Sequence, residues 1–339
     1  MKIYKNYNLK NNNTFNLSAI ANEFLEYEND DDFITYVNEH KQEFNENFLV
    51  IGEGSNILFT KNFAGKIIHS KTNYINIIVE NENYIDVEVA SGILLRDFID
   101  RTIEQNYFGM ENLSDIPGTV AASAVQNVGA YGSEIKNFIL EVKFFNLNTF
   151  TIQTLSNNDC EFEYRNSIFK NKLKNKTIIL SVTYRLNKKF IPNLSYIDVA
   201  NAFKNIDINM ITAKSVNEVI KKIRNEKLPD TKVYGNAGSF YKNPIIENTK
   251  LFHLIKKYPD IKYFEHSKTQ VKISAAWLID KCGFKGFELD GAAVYNKHAL
   301  ILINLKNATG NSILKLSEQI QKNILEKFQI AIEPEVVII

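Results

Sequence analysis

An α+β fold built from two or three domains is predicted by three observations. Strand-like and helix-like segments alternate irregularly, with several strands adjacent, rather than as a regular strand–helix–strand array. The pattern changes style near residue 211, where short strands give way to longer amphipathic helices. The chain is 339 residues long, more than a single hydrophobic core ordinarily serves.

The elements follow in order. "ENFLVIGEGSNILFT" (46–60) reads as a short buried strand, a glycine-rich turn and a further apolar run. "YIDVEVASGILLRDFIDRTIEQN" (84–106) reads as an alternating strand, a turn at Ser91-Gly92 and an amphipathic helix. "FILEVKFFNL" (138–147) and "KTIILSVTYRL" (176–186) are strand-like. Ser215 and Glu218 have capping-box spacing and open a helix over "VNEVIKKIRNEK". "HALILINLKNATGNSILKLSEQIQKNILEKF" (298–328) is a buried strand, a glycine turn and a long amphipathic helix, and "IEPEVVII" closes the chain as a strand.

Composition narrows the function. Hydrophobic residues make up 45% of the chain, with 16 Tyr and 23 Phe, enough for a sizeable core. The net charge of +1 is spread along the chain and does not suit a nucleic-acid partner. The start shows no basic-then-apolar leader, and no run reaches the ~20 apolar residues a membrane span needs. Cys160 and Cys282 fit no metal or redox spacing, and the five histidines show no ligand spacing, so no metal is expected. The expectation is a cytoplasmic protein with reduced thiols.

Four stretches carry candidate chemistry. In "GEGSN", Gly52 and Gly54 expose backbone amides of the kind that hold phosphate oxygens, with Ser55 and Asn56 beside them. Ile57 replaces the third glycine of a dinucleotide fingerprint, so a standard nicotinamide-binding unit is not expected. "IPGTVAASAVQNVGAYGSEI" (116–135) is long, small and nearly uncharged; it reads either as backbone running along an extended ligand or as a tightly packed segment. Arg165, in "EYRNSIFK", has the planar charge that suits a carboxylate. "GNAGSFYKNP" (235–244) surrounds Ser239 with the smallest residues, either as a turn or as backbone close to a ligand. Ser239 lies in no nucleophile elbow and has no evident base.

Taken in order and spacing, "GEGSN", "IPGTVAASAVQNVGAYG", "YRNSIFK", "KLPD", "GNAGSFYKNP", "AAWLIDKCGFKG", "GAAVYNKHALILIN" and "EPEV" resemble the UDP-N-acetylenolpyruvoylglucosamine reductase family, in its longer, Escherichia-like class. The resemblance runs from about residue 10 to residue 339. It implies a two-part FAD-binding unit of the vanillyl-alcohol-oxidase (PCMH) type over 1–70 and 71–210. It also implies an α+β substrate-binding domain over 211–330 and a C-terminal strand over 331–339 carrying a catalytic glutamate. The implied cofactor is non-covalent FAD, since neither flavin-loop candidate contains a histidine. NADPH is the implied co-substrate and UDP-N-acetylglucosamine enolpyruvate the implied substrate.

The resemblance also assigns roles. Ser239 matches the proton donor, Arg165 the residue that binds the carboxylate and stabilises the enolate, and Glu335 a partner acting as protonated donor or by orienting, with Glu333 a decoy beside it. Gly52, Gly54, Ser55 and Asn56 match cofactor-binding positions. So do Pro117, Gly118, Thr119, Ala122 and Ser123, and then Gln126, Asn127, Gly129 and Ala130. Arg224 and Lys227 are placed for phosphates or NADPH. Asn243 follows Ser239 by one turn if a helix begins there. Tyr196 matches a tyrosine on a loop that closes over the sugar nucleotide. His298 stands where the class usually carries glutamine, and Asp290 where glycine is common. A flavin oxidase of the same superfamily and an inactive sugar-nucleotide sensor are the competing readings. Retention of Arg165, Ser239 and Glu335 together speaks against the sensor.

Overall fold

The structure, a computed structural model, describes residues 1–44 and 47–339. Glu46, which opens the 46–60 run, lies outside the described residues. The chain forms two compact units that interleave in sequence: Met1–Tyr7, Ile20–Glu53 and Ala64–Arg224 make the first, and Asn8–Ala19, Gly54–Phe63 and Asn225–Ile339 the second. The linear division at 70, 210 and 330 does not describe this arrangement. Two early segments belong with the C-terminal third, and residues 331–339 are part of the second unit.

The first unit contains a four-stranded and a five-stranded sheet. The four-stranded sheet runs in the order Lys2–Asn8, Ile20–Tyr27, Phe63–Ser70, Phe48–Ile51, and its last two strands pair in parallel. Asn29 caps the helix Asp30–Glu39 by accepting the amides of Asp31 and Asp32, and three aspartates in the first turn complement the helix dipole. Its Phe33 and Val37 join Leu25, Tyr27 and Phe48 in a core shared with Phe145, Ile178 and Leu180.

The five-stranded sheet is antiparallel, in the order Thr151–Ser156, Ile139–Asn146, Thr177–Asn187, Tyr84–Ala90, Ile75–Glu80. Its central strand is β-branched and buried through most of its length, as the apolar run 176–186 implies. The helix Leu95–Glu104 covers one face, and Phe98 meets Tyr184 at 5.2 Å between ring centroids. The helix Ala213–Lys227 begins one turn before the expected start. Thr212 and Ser215 cap it reciprocally, at 3.1 Å and 3.0 Å, in place of Ser215 and Glu218.

The second unit holds an antiparallel sheet of Gly235–Ser239, Ile301–Asn304, Ala292–Val294 and Glu288–Leu289. The helix Gly310–Phe328 packs Ile313, Leu316, Ile320, Ile324 and Phe328, the stripe its spacing predicts, into the main core. Each such side chain contributes about 1.5–3 kcal/mol relative to exposure. Trp277 of the helix Ala275–Lys281 fills the same core against Tyr258 and Phe328. Val337–Ile338 pairs in parallel with Ile57–Leu58, which brings both segments into this unit. The C-terminal strand is limited to those two residues.

Candidate active site

Within the first unit, two of the flavin-loop candidates touch. A Cβ on Gly52 would lie 2.7 Å from the Thr119 hydroxyl, so glycine is what lets this backbone approach the Thr119 side chain. Glu53, the residue between the two glycines, ties the same place together. It takes a bidentate grip from Arg96 at 2.8 and 2.6 Å and accepts the Gly118 amide at 2.8 Å. Burial pushes the Glu53 carboxyl up, but Arg96 and the Gly118 amide outweigh it and hold it below the ordinary carboxylate range. In the sequence Glu53 carries no signal of its own beyond its place between Gly52 and Gly54.

Thr119 caps the short helix Val120–Val125 by accepting the Ala122 amide at 3.3 Å, with Gln126 as its C-cap. Ser123 turns inward: it is 2% exposed and donates to the Val120 carbonyl at 2.7 Å. Asn127 is fully buried, donates to Glu134 and to the Glu163 carbonyl, and accepts the Lys136 amide. Both side chains hold the loop. Gly129 and Ala130 form a two-residue ladder with Glu134 and Ser133.

Arg165 stands beside this ladder. A Cβ on Gly129 would come within 3.2 Å of its Nη1. Its φ of +56° is left-handed, costly for a residue with a side chain, and the turn that enforces it is locked by reciprocal bonds between Glu163 and Asn166. Tyr196 lies in the same unit, its ring edge-on to Tyr131 at 5.2 Å. Arg224 is only 13% exposed at its side chain and pairs with Asp115 at 3.3 Å.

Within the second unit, hydrogen bonds bring Asn56 and the residue after Ser239 to Glu335, while Gly54 packs on the segment 12–14. Gly54 has φ +67°, and a Cβ there would overlap the Asn12 carbonyl oxygen. Asn56 donates to the Glu335 carbonyl at 3.2 Å, and its own carbonyl accepts the Val337 amide at 3.0 Å. The Glu335 amide bonds the Phe240 carbonyl at 2.8 Å, which aligns residues 333–335 against 240–242. Ser239 is the residue before that bond. A register irregularity between Asn236 and Ser239, with Gly238 at φ +67°, turns Ser239 outward and leaves it exposed. Glu335 is half-buried, whereas Glu333 is 77% exposed at its side chain and faces Lys242 at 3.8 Å.

Two expectations about the Ser239 neighbourhood change. No helix begins there, so Asn243 is not one helical turn from Ser239; its Oδ1 accepts the Ala275 amide at 3.0 Å and braces a different helix. Nor do both flanking glycines clear space for a ligand. Gly235 sits against the Phe15 backbone, and only Gly238 faces open space.

A basic patch lies elsewhere in the second unit. His298 is half-buried, and its imidazole is held below the ordinary histidine range by burial and then by Lys227 and Lys285. The Leu300 amide donates to its Nδ1 at 3.3 Å, so the neutral ring carries its proton on Nε2. Asp290 is exposed at φ +49°, a conformation aspartate tolerates and glycine prefers.

Comparisons with known proteins identify the family. An FAD binding domain model matches residues 24–156, and the model for the C-terminal domain of UDP-N-acetylenolpyruvoylglucosamine reductase matches residues 229–339. The chain is 41% identical over 340 residues to the UDP-N-acetylenolpyruvoylglucosamine reductase of Flavobacterium johnsoniae, covering 100% of both chains. The chain belongs to the UDP-N-acetylenolpyruvoylglucosamine reductases. The Neisseria gonorrhoeae reductase is 40% identical over 95% of this chain and 93% of its own. The crystal structure of the Thermus caldophilus reductase covers 99% of the chain and 98% of its own, with a TM-score of 0.67 and 19% identity, and supports the fold. Among the described residues, no helix is long and apolar enough to cross a membrane.

Proposed function

We infer that this member of the UDP-N-acetylenolpyruvoylglucosamine reductases carries out the family reaction in peptidoglycan precursor synthesis. That reaction is reduction of UDP-N-acetylglucosamine enolpyruvate to UDP-N-acetylmuramate, with FAD as cofactor and NADPH as hydride source. The residues present fit FAD: Gly52 lies against Thr119, Ala121, Ala122, Gln126, Gly129 and Ala130 stay partly exposed along 117–130, and Arg165 flanks Gly129. FAD supplies the hydride transfer that no side chain can perform. The setting we infer is the cytoplasm, where NADPH is available.

The chain's own residues meet the remaining demands. Reducing the enolpyruvyl double bond builds negative charge next to the substrate carboxylate. Arg165, planar and permanently charged, binds that carboxylate and stabilises the charge as an enolate. Ser239 gives a proton to the carbon α to the carboxylate, a transfer a hydroxyl performs only to a base as strong as a carbanion. Glu335 works with them as a donor or by orienting. Lys227 and His298 are assigned to the diphosphate, with the Nε2–H of His298 doing what an amide does at that position in other members. Asn56, Gly54 and Ser55 are assigned to the cofactor phosphates, and Tyr196 to the sugar-nucleotide side.

The observation that carries this reading is the outward-turned Ser239, whose next residue, Phe240, accepts the Glu335 amide with its carbonyl at 2.8 Å. The experiment is the visible spectrum of purified protein. A yellow flavin is expected to bleach on addition of NADPH and to recover with the enolpyruvyl sugar nucleotide. A flavin that recovers only with oxygen would support the oxidase instead.

A further inference from the structure

Asn112 sits in the short turn Glu111–Leu113, just ahead of the "IPGTVAASAVQNVGAYG" strip, and is 2% exposed. An amide buried that deeply must have its donors satisfied. Both protons of its Nδ2 go to backbone carbonyls, and the two carbonyls come from different loops: Tyr131 at 2.7 Å and Asn193 at 3.0 Å. The second loop answers the first, because the Asn193 side chain donates to the Gly132 carbonyl at 3.2 Å. Asn193 also turns its own loop, accepting the Ser195 amide at 3.1 Å and hydroxyl at 2.7 Å. Gly132 makes the approach possible, since a Cβ there would overlap the Ser195 hydroxyl oxygen. The next residue is Tyr196, whose ring packs edge-on against Tyr131. Three hydrogen bonds and one ring contact therefore fix the segment carrying Tyr196 to the segment 129–132, which also abuts Arg165.

The anchor itself is rigid. Glu111, 3% exposed, accepts the Gly109 amide with both carboxylate oxygens at 3.0 Å. Ser114, fully buried, accepts from Asn217 at 2.9 Å, and Asn217 also reaches Asp100. We propose that Asn112 is a positioning residue for the sugar-nucleotide substrate: it clamps the loop of Tyr196 to the flavin-side loop, and so sets where Tyr196 stands. The proposal rests on the reading of Tyr196 given above.

Asn112→Asp is the direct test. It keeps the shape but points carboxylate oxygens at two carbonyls, replacing two bonds by repulsion. In the FAD-loaded protein, amide exchange at residues 194–197 is expected to quicken. Flavin content and bleaching by NADPH are expected to hold, while KM for the enolpyruvyl sugar nucleotide rises about tenfold with kcat nearly unchanged. Combined with Tyr196→Phe, the KM change is expected to be smaller than the product of the two single changes. Should Asn112→Asp not fold, Asn193→Ala removes the reciprocal bond at a less buried site and is expected to quicken the same amides. Unchanged exchange at 194–197 overturns the clamp; quickened exchange with an unchanged KM overturns its role in substrate positioning. A wild-type protein that NADPH does not bleach would defeat the family reaction instead, and the exchange arm would still judge the clamp.

Discussion

The two glycine-rich stretches, 117–132 and 235–239, carry the same residue types and use them differently. In the first, small residues are meeting points. The Gly118 amide binds Glu53, Gly129 admits the Arg165 guanidinium, and Gly132 admits Ser195. In the second, only one glycine serves the protein's own packing: Gly235 lies against Phe15, while Gly238 bends the strand and borders open space. Smallness in sequence thus has two meanings, a neighbour pressed close or room left for something else. Ser239, the hydroxyl proposed as proton donor, stands next to the room.

Replacing Ser239 puts this contrast to its hardest test. If the open side of Gly238 is where substrate meets a proton donor, Ser239→Ala should bleach normally with NADPH and lose about 10²–10⁴ in the substrate-driven recovery. Ser239→Cys should regain part of it. Near-normal recovery in Ser239→Ala, followed by stopped-flow absorbance, would reduce the second stretch to a turn. Thermal melts of the glycine variants come next. Gly235→Ala forces its Cβ into the Phe15 carbonyl and should cost more than the ~1–3 kcal/mol typical of overpacking, because backbone rather than a side chain must yield. Gly238→Ala meets no atom and should cost only the ~1–2 kcal/mol of a left-handed residue with a Cβ. Equal shifts in Tm would erase the distinction.

The smallest effect is expected at the basic patch. Burial and the two lysines keep His298 neutral near pH 7. A bound diphosphate favours the imidazolium, so binding takes up a proton and KM should fall as pH drops from about 8 to 6. Without ligand the sign reverses. The unfolded chain accepts the proton first, so His298 contributes stability above its ordinary pKa and loses it as pH falls toward the depressed one. His298→Gln should flatten the KM profile; a wild-type profile already as flat as the variant's would remove His298 from the diphosphate.

Local periodicity carried much of this fold. The strand–turn–helix of 84–106 and the stripe Ile313–Phe328 follow from spacing within a single element. What stayed hidden depends on partners far away in sequence. The Ile57–Leu58 strand pairs with residues near 338, and Thr14 bonds to Asn236, pairings with no local signature. Ser123 and Asn127 sit inside a family motif, yet their polar atoms face the protein, because a motif records position and not direction. Asn112 carries no signal beyond being an amide among other polar residues ahead of a glycine strip. The left-handed Arg165 was found by its chemistry, and its strain was invisible without backbone angles.

The interleaving of the two units has a consequence for synthesis. Thr60 donates to the carbonyl of Ile339, across 279 positions of sequence. At roughly 5–20 residues per second, the segment 54–63 leaves the ribosome on the order of tens of seconds before its partner exists. Through that interval Ile57 and Leu58, each at most 8% exposed in the finished fold, lack the strand Val337–Ile338 that they pair with. A chaperone that binds short apolar segments has a defined window on this stretch. A ribosome stalled before residue 335 yields a chain lacking both that strand and Glu335, the residue proposed to act beside Ser239, so such partial products are expected to be open to proteolysis and without activity.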